Sequence, residues 1–233
     1  MDDQPFQTAE HKFRETADAD LEALAVARHA TAALAGAVAG TQIEPAGDPA
    51  PPAWYLRSAI LNLSVVALRS ARGCMILVSS GYEPEAQGLK RRVSEIHSYV
   101  SAVLDDTSGQ RARQWLEGPP FKPRKIVGKF GDLSLFDLYS EATHANADAI
   151  TSWLTVPMPE VHEAHIGLIV VPHRRPEFSN AMLVELSHEV RDFANIMAKS
   201  QGRTVPRLAD LDSEIIAARD RWWGAGEDFP EDP

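Results

Sequence analysis

The passage from Leu56 to Leu104 constrains this chain most. From Leu56 to Val78 the residues are largely apolar, with charge only at Arg57, Arg69 and Arg72. A membrane-spanning helix needs about 20 largely uncharged residues, so the three arginines favour a buried central helix, about Trp54 to Ser80. Gly81 can take the left-handed conformation that ends a helix, and Pro84 suits the first turn of the next. In that next helix, about Pro84 to Leu104, Ala86, Leu89, Val93, Ile96, Val100 and Val103 recur at steps of three and four, which lays one apolar stripe along it. A short turn between two such helices implies antiparallel neighbours.

Upstream, Ala, Glu and Leu dominate from about Ala9 to Val38 with no proline, and the spacing predicts one long helix. The prolines of Thr41–Pro52 then forbid helix and form a linker. Downstream, a helical turn over Gln110–Glu117 leads into a proline loop, Gly118–Pro123. A helix follows at about Leu133–Ala147, with Leu135, Tyr139 and Ala142 facing inward. Ile150–Val156 and Ile166–Val171 predict two short strands. The last long helix, about Ser179–Lys199, turns Met182, Leu183, Leu186, Val190, Phe193 and Met197 inward. A short helix over Asp212–Trp223 is expected to anchor through its tryptophans, ahead of an acidic end.

The fold expected is therefore mainly α: an up-down helical bundle with a small β-hairpin before the last long helix. It divides into residues 1–53 (helix and linker), 54–201 (core, with the hairpin at about 150–171) and 202–233. Hydrophobic residues at 44% and charged residues at 24% supply enough apolar material for one core. The single cysteine, Cys74, lies in an apolar run and excludes an internal disulfide, and the acidic, polar start at Met1-Asp2-Asp3 does not resemble a signal peptide. A reducing cytoplasm is the expected location, with no membrane association. The net charge of -10 disfavours polyanions on average. Locally, though, Arg111, Arg113, Lys122, Arg124, Lys125 and Lys129 stand against the single acid Glu117, which makes that stretch a candidate anion- or nucleic-acid-binding surface.

Three constellations carry possible chemistry. Glu141-Ala142-Thr143-His144 and Glu185-Leu186-Ser187-His188 have the E-x-x-H spacing of di-metal carboxylate sites. On an ideal helix, however, Glu185 falls about 110° and His188 about 170° from the centre of the apolar face, and two further inward glutamates are missing. No glycine-rich phosphate loop, nucleophile elbow or cysteine pair occurs, so no cofactor or metal is expected. Arg91 or Arg92 with Glu95, beside Tyr99, has ordinary helix-pair spacing.

Arg92-Val93-Ser94-Glu95-Ile96-His97 resembles the R-x-x-x-x-H motif of HEPN ribonucleases. That resemblance implies metal-independent RNA cleavage, with Arg92 polarising phosphate and His97 moving a proton. Residues five apart lie about 140° apart on a helix, so the two would converge only through a kink or a dimer partner. The R-x-x-x-E of Arg91 and Glu95, the later Tyr139-Ser140-Glu141-Ala142-Thr143-His144 and the closing hairpin and helix resemble a bacterial family of helical proteins that is itself HEPN-like. The resemblance marks Arg91, Glu95, Tyr139 and His144 as a polar network between helices. Arg92, Glu95, His97, Tyr139 and His144 are thus the candidate catalytic residues. RNA, a protein partner or a second copy of the chain are the expected partners. A non-catalytic interaction module and a di-metal enzyme are the alternatives.

Overall fold

The computed structural model describes residues 4–45, 47, 50–118, 121–143, 155–157, 166–168 and 175–223. Nine helices occur among them: α1 (Gln4–Asp20), α2 (Ala23–Val38), α3 (Pro52–Ser79), α4 (Glu83–Leu104), α5 (Gln110–Glu117), α6 (Pro123–Phe130), α7 (Leu133–Thr143), α8 (Pro176–Ser200) and α9 (Leu208–Trp223). Two three-residue strands, β1 (Thr155–Pro157) and β2 (Ile166–Leu168), pair antiparallel with Val156 opposite Gly167. The rest of the expected hairpin lies outside the described residues, as do His144 to Ala147 of the expected fourth helix and the acidic end.

The turn after α3 follows the sequence. Gly81 has φ +84, a backbone region that costs a side-chain-bearing residue energy, and α4 runs back along α3. A Cβ on Gly73 would stand 2.7 Å from Leu89 Cδ1, so this glycine lets Leu89 lie directly against α3. Side-chain links fix the other directions. Ala23 and Ala37 meet Asn180 and Gln201, so α8 runs parallel to α2. Arg191 and Glu22 meet Asp212 and Arg221, so α9 runs back along α8 and α2. Of the long helices, α2, α4 and α8 therefore run one way, while α3 and α9 run the other. One buried cluster joins α1, α2, α3, α4, α7, α8 and α9, with Leu24, Leu34, Cys74, Val93, Met182, Leu186 and Phe193 at its centre. Burying a large aliphatic or aromatic side chain contributes about 1.5–3 kcal/mol, so α8, which supplies three of these, is the main organising helix.

Three expectations change. The long first helix is two helices bent by 89°. The reason lies 160 residues downstream: Asn180 accepts from the Ala23 N–H (2.9 Å) and donates to the Asp20 and Pro176 carbonyls (3.1 and 2.9 Å). This buried side chain satisfies backbone groups orphaned at the break. Second, the proline at the end of the expected loop starts a helix: Pro123 lies in the first turn of α6, whose Val127 is buried. Third, α3 is not buried all round. It is long and apolar enough by length and composition to cross a membrane, and 39% of its most apolar window is buried within the molecule. Arg57, Arg69 and Arg72 are exposed, and Ile76 is 60% exposed.

Candidate functional site

Glu83, Lys90 and His97 are spaced seven apart on α4, two helical turns per step, so they share one face with a drift of only about 20° per step. The parallel helix α8 answers each of them. Glu83, fully buried, accepts from the Arg175 backbone N–H (3.1 Å), Arg175 Nε (3.0 Å) and Ser179 Oγ (2.5 Å). Lys90, also fully buried, stands 3.2 Å from Glu189 Oε2 and 3.4 Å from Glu185 Oε2. His97 Nε2 lies 3.4 Å from Asp192 Oδ2, and its ring meets Phe193 edge-on. This charged seam sets the register of α4 against α8, because sliding by one turn would strand each buried group away from its partner.

Lys90 is the centre of the seam. Its ammonium donates to Ser94 Oγ at 2.8 Å and lies 5.0 Å from the centre of the Tyr139 ring, while Tyr139 donates to Glu185 Oε2 at 2.6 Å. Burial works against the charge on Lys90, but Glu189 and Glu185 outweigh it and raise its pKa. Lys90 is therefore an ammonium counter-ion and not a nucleophile. Burial raises the Glu185 carboxyl, and Lys90 only partly opposes this. Glu185 Oε1 is buried with no hydrogen-bond partner among the described residues. Burial pushes the nearby Cys74 thiol up to about 12, so it stays protonated and unreactive.

The third link predicts an acid limb. Burial pushes the Asp192 carboxyl up, but hydrogen bonds from His97 and Arg191, with the charges of His188 and His97, outweigh it and hold Asp192 at about 2, against an ordinary 3.8. A depressed carboxyl stabilises the fold above its unfolded pKa and loses that contribution as pH falls through the folded value. We expect Asp192 to contribute about 2 kcal/mol, lost between pH 3.8 and about 2. Denaturant titrations across that window should be flatter for Asp192→Asn. An equally steep loss in the variant would place the acid limb elsewhere.

The other side of α4 faces a cleft of about 440 Å³ between α3, α4 and α5. Arg91, Arg92, Glu95 and Tyr99 line it together with Trp115 of α5, over an apolar floor of Leu63, Val66 and Ile96. Tyr99 donates to Glu95 Oε1 at 2.6 Å. Burial and that hydrogen bond hold the phenol well above its usual range, so Tyr99 remains a donor that fixes the carboxylate. The Arg91 guanidinium lies 4.6 Å over the Phe136 ring of α7. Arg92 is exposed and has no ion-pair partner among the described residues. No histidine, cysteine or lysine lines the cleft among the described residues. Its chemistry is that of anion binding against an aromatic wall, with one acceptor for a donor group.

The candidate catalytic residues therefore divide. Arg92 and Glu95 reach the cleft, joined by Arg91 and Tyr99. His97 points into the seam, as its five-residue offset from Arg92 requires, and Tyr139 belongs to the Lys90 cluster. His144 lies outside the described residues. Of the basic stretch, Arg111 bonds Asp105 and the Ala102 carbonyl, Arg113 bonds Glu117, Arg124 bonds both Asp137 oxygens, and Lys129 stands 3.9 Å from Asp105. Lys122 and Lys125 are exposed. Much of that positive charge is neutralised within the chain. His188 is 65% exposed, as its helical position requires, but Glu185, expected off the apolar face, is drawn inward by Lys90. No group of three or more metal-ligating side chains is found among the described residues.

Lys90, Glu189 and Trp115 were not singled out by sequence. Lys90 had a signal: it lies four residues after Ala86 and three before Val93, inside the stripe, where a charge demands a buried partner. Trp115 had none, since its place depends on how α5 docks. No family model, curated protein or solved structure matches the chain.

Proposed function

We propose that the cleft beside α4 is a binding site for a phosphate monoester that carries a flat ring, a nucleotide-like ligand, and that it binds without catalysing. The observation that carries this reading is the convergence of Arg91, Arg92, Glu95 and Trp115 on one cleft. Guanidinium groups hold phosphate through paired donors, an indole face stacks on a base, and a fixed carboxylate accepts from an exocyclic amine. The cleft volume falls within the range of small-molecule sites, about 300–1,000 Å³. A net charge of -10 suits a compact anion better than a long polyanion.

The terminus of an RNA strand offers the same chemistry, so an RNA-acting role belongs to this reading. So do the HEPN-like arrangement with its small hairpin, and a cytoplasmic setting, which the lone buried thiol favours. Cleavage by Arg92 and His97 would need a histidine supplied from elsewhere, because His97 is engaged by Asp192.

Isothermal titration tests this with adenosine monophosphate, adenosine, inorganic phosphate and a short oligoribonucleotide with or without a 5′-phosphate. We expect the monophosphate to bind, adenosine and phosphate to bind at least about tenfold more weakly, and Arg92→Ala to lose about tenfold, or 1.4 kcal/mol. The exposed Arg92 can be replaced without disturbing the helix. No binding by either phosphorylated ligand, or wild-type affinity in Arg92→Ala, would remove the reading.

A further inference from the structure

A second pocket, sharing no residue with the first, lies where α1, α2 and α3 meet. Arg14, Arg28 and Arg72, one from each helix, line a space of about 300 Å³ whose apolar lining is Leu24, Met75 and Ile76. Three arginines meeting here on a chain of net charge -10 run against the average field of the protein. Two are held in place: Arg14 donates to Ser80 Oγ (3.0 Å) and to Glu10 Oε2 (3.2 Å), and Arg28 donates to Asp18 Oδ1 (2.6 Å). Glu10 is itself held by the Tyr82 hydroxyl. Arg72 is exposed with no ion-pair partner among the described residues. Glu10 and Asp18 thus answer Arg14 and Arg28, and Arg72 is the arginine of the three left to meet a ligand. Beside it, Ile76 is the most exposed of the large hydrophobic residues among the described residues, at 60%.

A guanidinium beside exposed aliphatic surface fits a ligand that is charged at one end and greasy at the other. We infer that this pocket binds a free anionic amphiphile with a single alkyl chain, such as a medium-chain carboxylate. Its acidic head pairs with Arg72 between the pre-oriented Arg14 and Arg28, and its chain lies on Leu24, Met75 and Ile76. The head alone gains little, because exposed ion pairs contribute little. The tail alone leaves Arg72 without a carboxylate, so both ends are needed together.

Titration calorimetry on the full chain tests this with octanoate, acetate, octanol and anionic phospholipid vesicles, alongside Arg72→Gln and Ile76→Ser. Both substitutions fall on exposed positions, and circular dichroism checks that the helices persist. We expect octanoate to bind at least tenfold more tightly than acetate or octanol, and each variant to lose at least fivefold, with adenosine monophosphate affinity unchanged. Three results would overturn the inference: equal affinity for acetate and octanoate, binding to vesicles with none to octanoate, or octanoate affinity untouched in both variants. A loss of self-association in Ile76→Ser without any octanoate binding would assign the patch to a second copy of the chain instead.

Discussion

Replacing Lys90 with alanine should lower the stability of the protein by about 3–5 kcal/mol, a large share of what a domain of this kind possesses. The loss has two sources. The ammonium group is the only cation within 4 Å of Glu185 and Glu189 among the described residues, so its removal leaves carboxylates in a buried site with no counter-charge. The loss of three methylenes beyond Cβ also opens a cavity in a fully buried position. The pH dependence identifies the first source. A carboxyl whose folded pKa is raised stabilises the fold below its unfolded value and loses that contribution as pH climbs through the folded one. Glu185 is already raised from 4.5, and without Lys90 it would be raised further. The deficit of Lys90→Ala should therefore shrink as pH falls toward 4.5 and widen toward neutrality. Combining Lys90→Met with Glu185→Leu and Glu189→Leu should recover much of the stability, since a packed apolar trio of similar volume avoids the desolvation cost. Urea denaturation at several pH values measures both effects. A deficit independent of pH would assign the loss to the cavity alone.

Glu83→Ala should cost about 3 kcal/mol. This carboxylate lies in the first turn of α4 and accepts the backbone N–H of Arg175, the residue capping α8. Because the two helices are parallel, one carboxylate serves two helix N-termini, each carrying partial positive charge. Its loss leaves the Ser179 hydroxyl and Arg175 Nε without their acceptor. Glu83→Gln, which keeps the shape and one acceptor oxygen, should cost about half as much. Hydrogen exchange should show the effect concentrated in the first turns of α8, at Phe178 to Leu183. Protection lost evenly along α8 would mean that the whole helix, not its end, depends on Glu83.

These two residues also mark the limit of what the sequence alone reveals. Helices α3, α4, α5 and α8 were legible because their apolar spacing and their glycine and proline boundaries are local signals. The break between α1 and α2 was not, because the group that satisfies it, Asn180, is distant in the chain and has no local signature. Glu83 and Lys90 look like solvated positions when only hydrophobicity is counted, and their burial follows from α8 arriving parallel to α4. The cleft was half legible: Arg91, Arg92, Glu95 and Tyr99 crowd one side of α4 by spacing alone, whereas Trp115 enters through the docking of a short helix. His97 was named for catalysis by its distance from Arg92 in sequence, and the same distance, measured in degrees around the helix, sends it to Asp192.

The seam and the cleft occupy different sides of one helix, so α4 both locks the core and presents the binding residues. The most direct measurement is nuclear magnetic resonance of the ¹⁵N-labelled protein titrated with adenosine monophosphate. The Trp115 indole N–H and the amides of Gly88 to Tyr99 should shift together with a single saturation curve, while the amides of α9 stay in place. Unmoved α4 and Trp115 signals at saturating ligand, or shifts confined to α9, would contradict a nucleotide site beside α4.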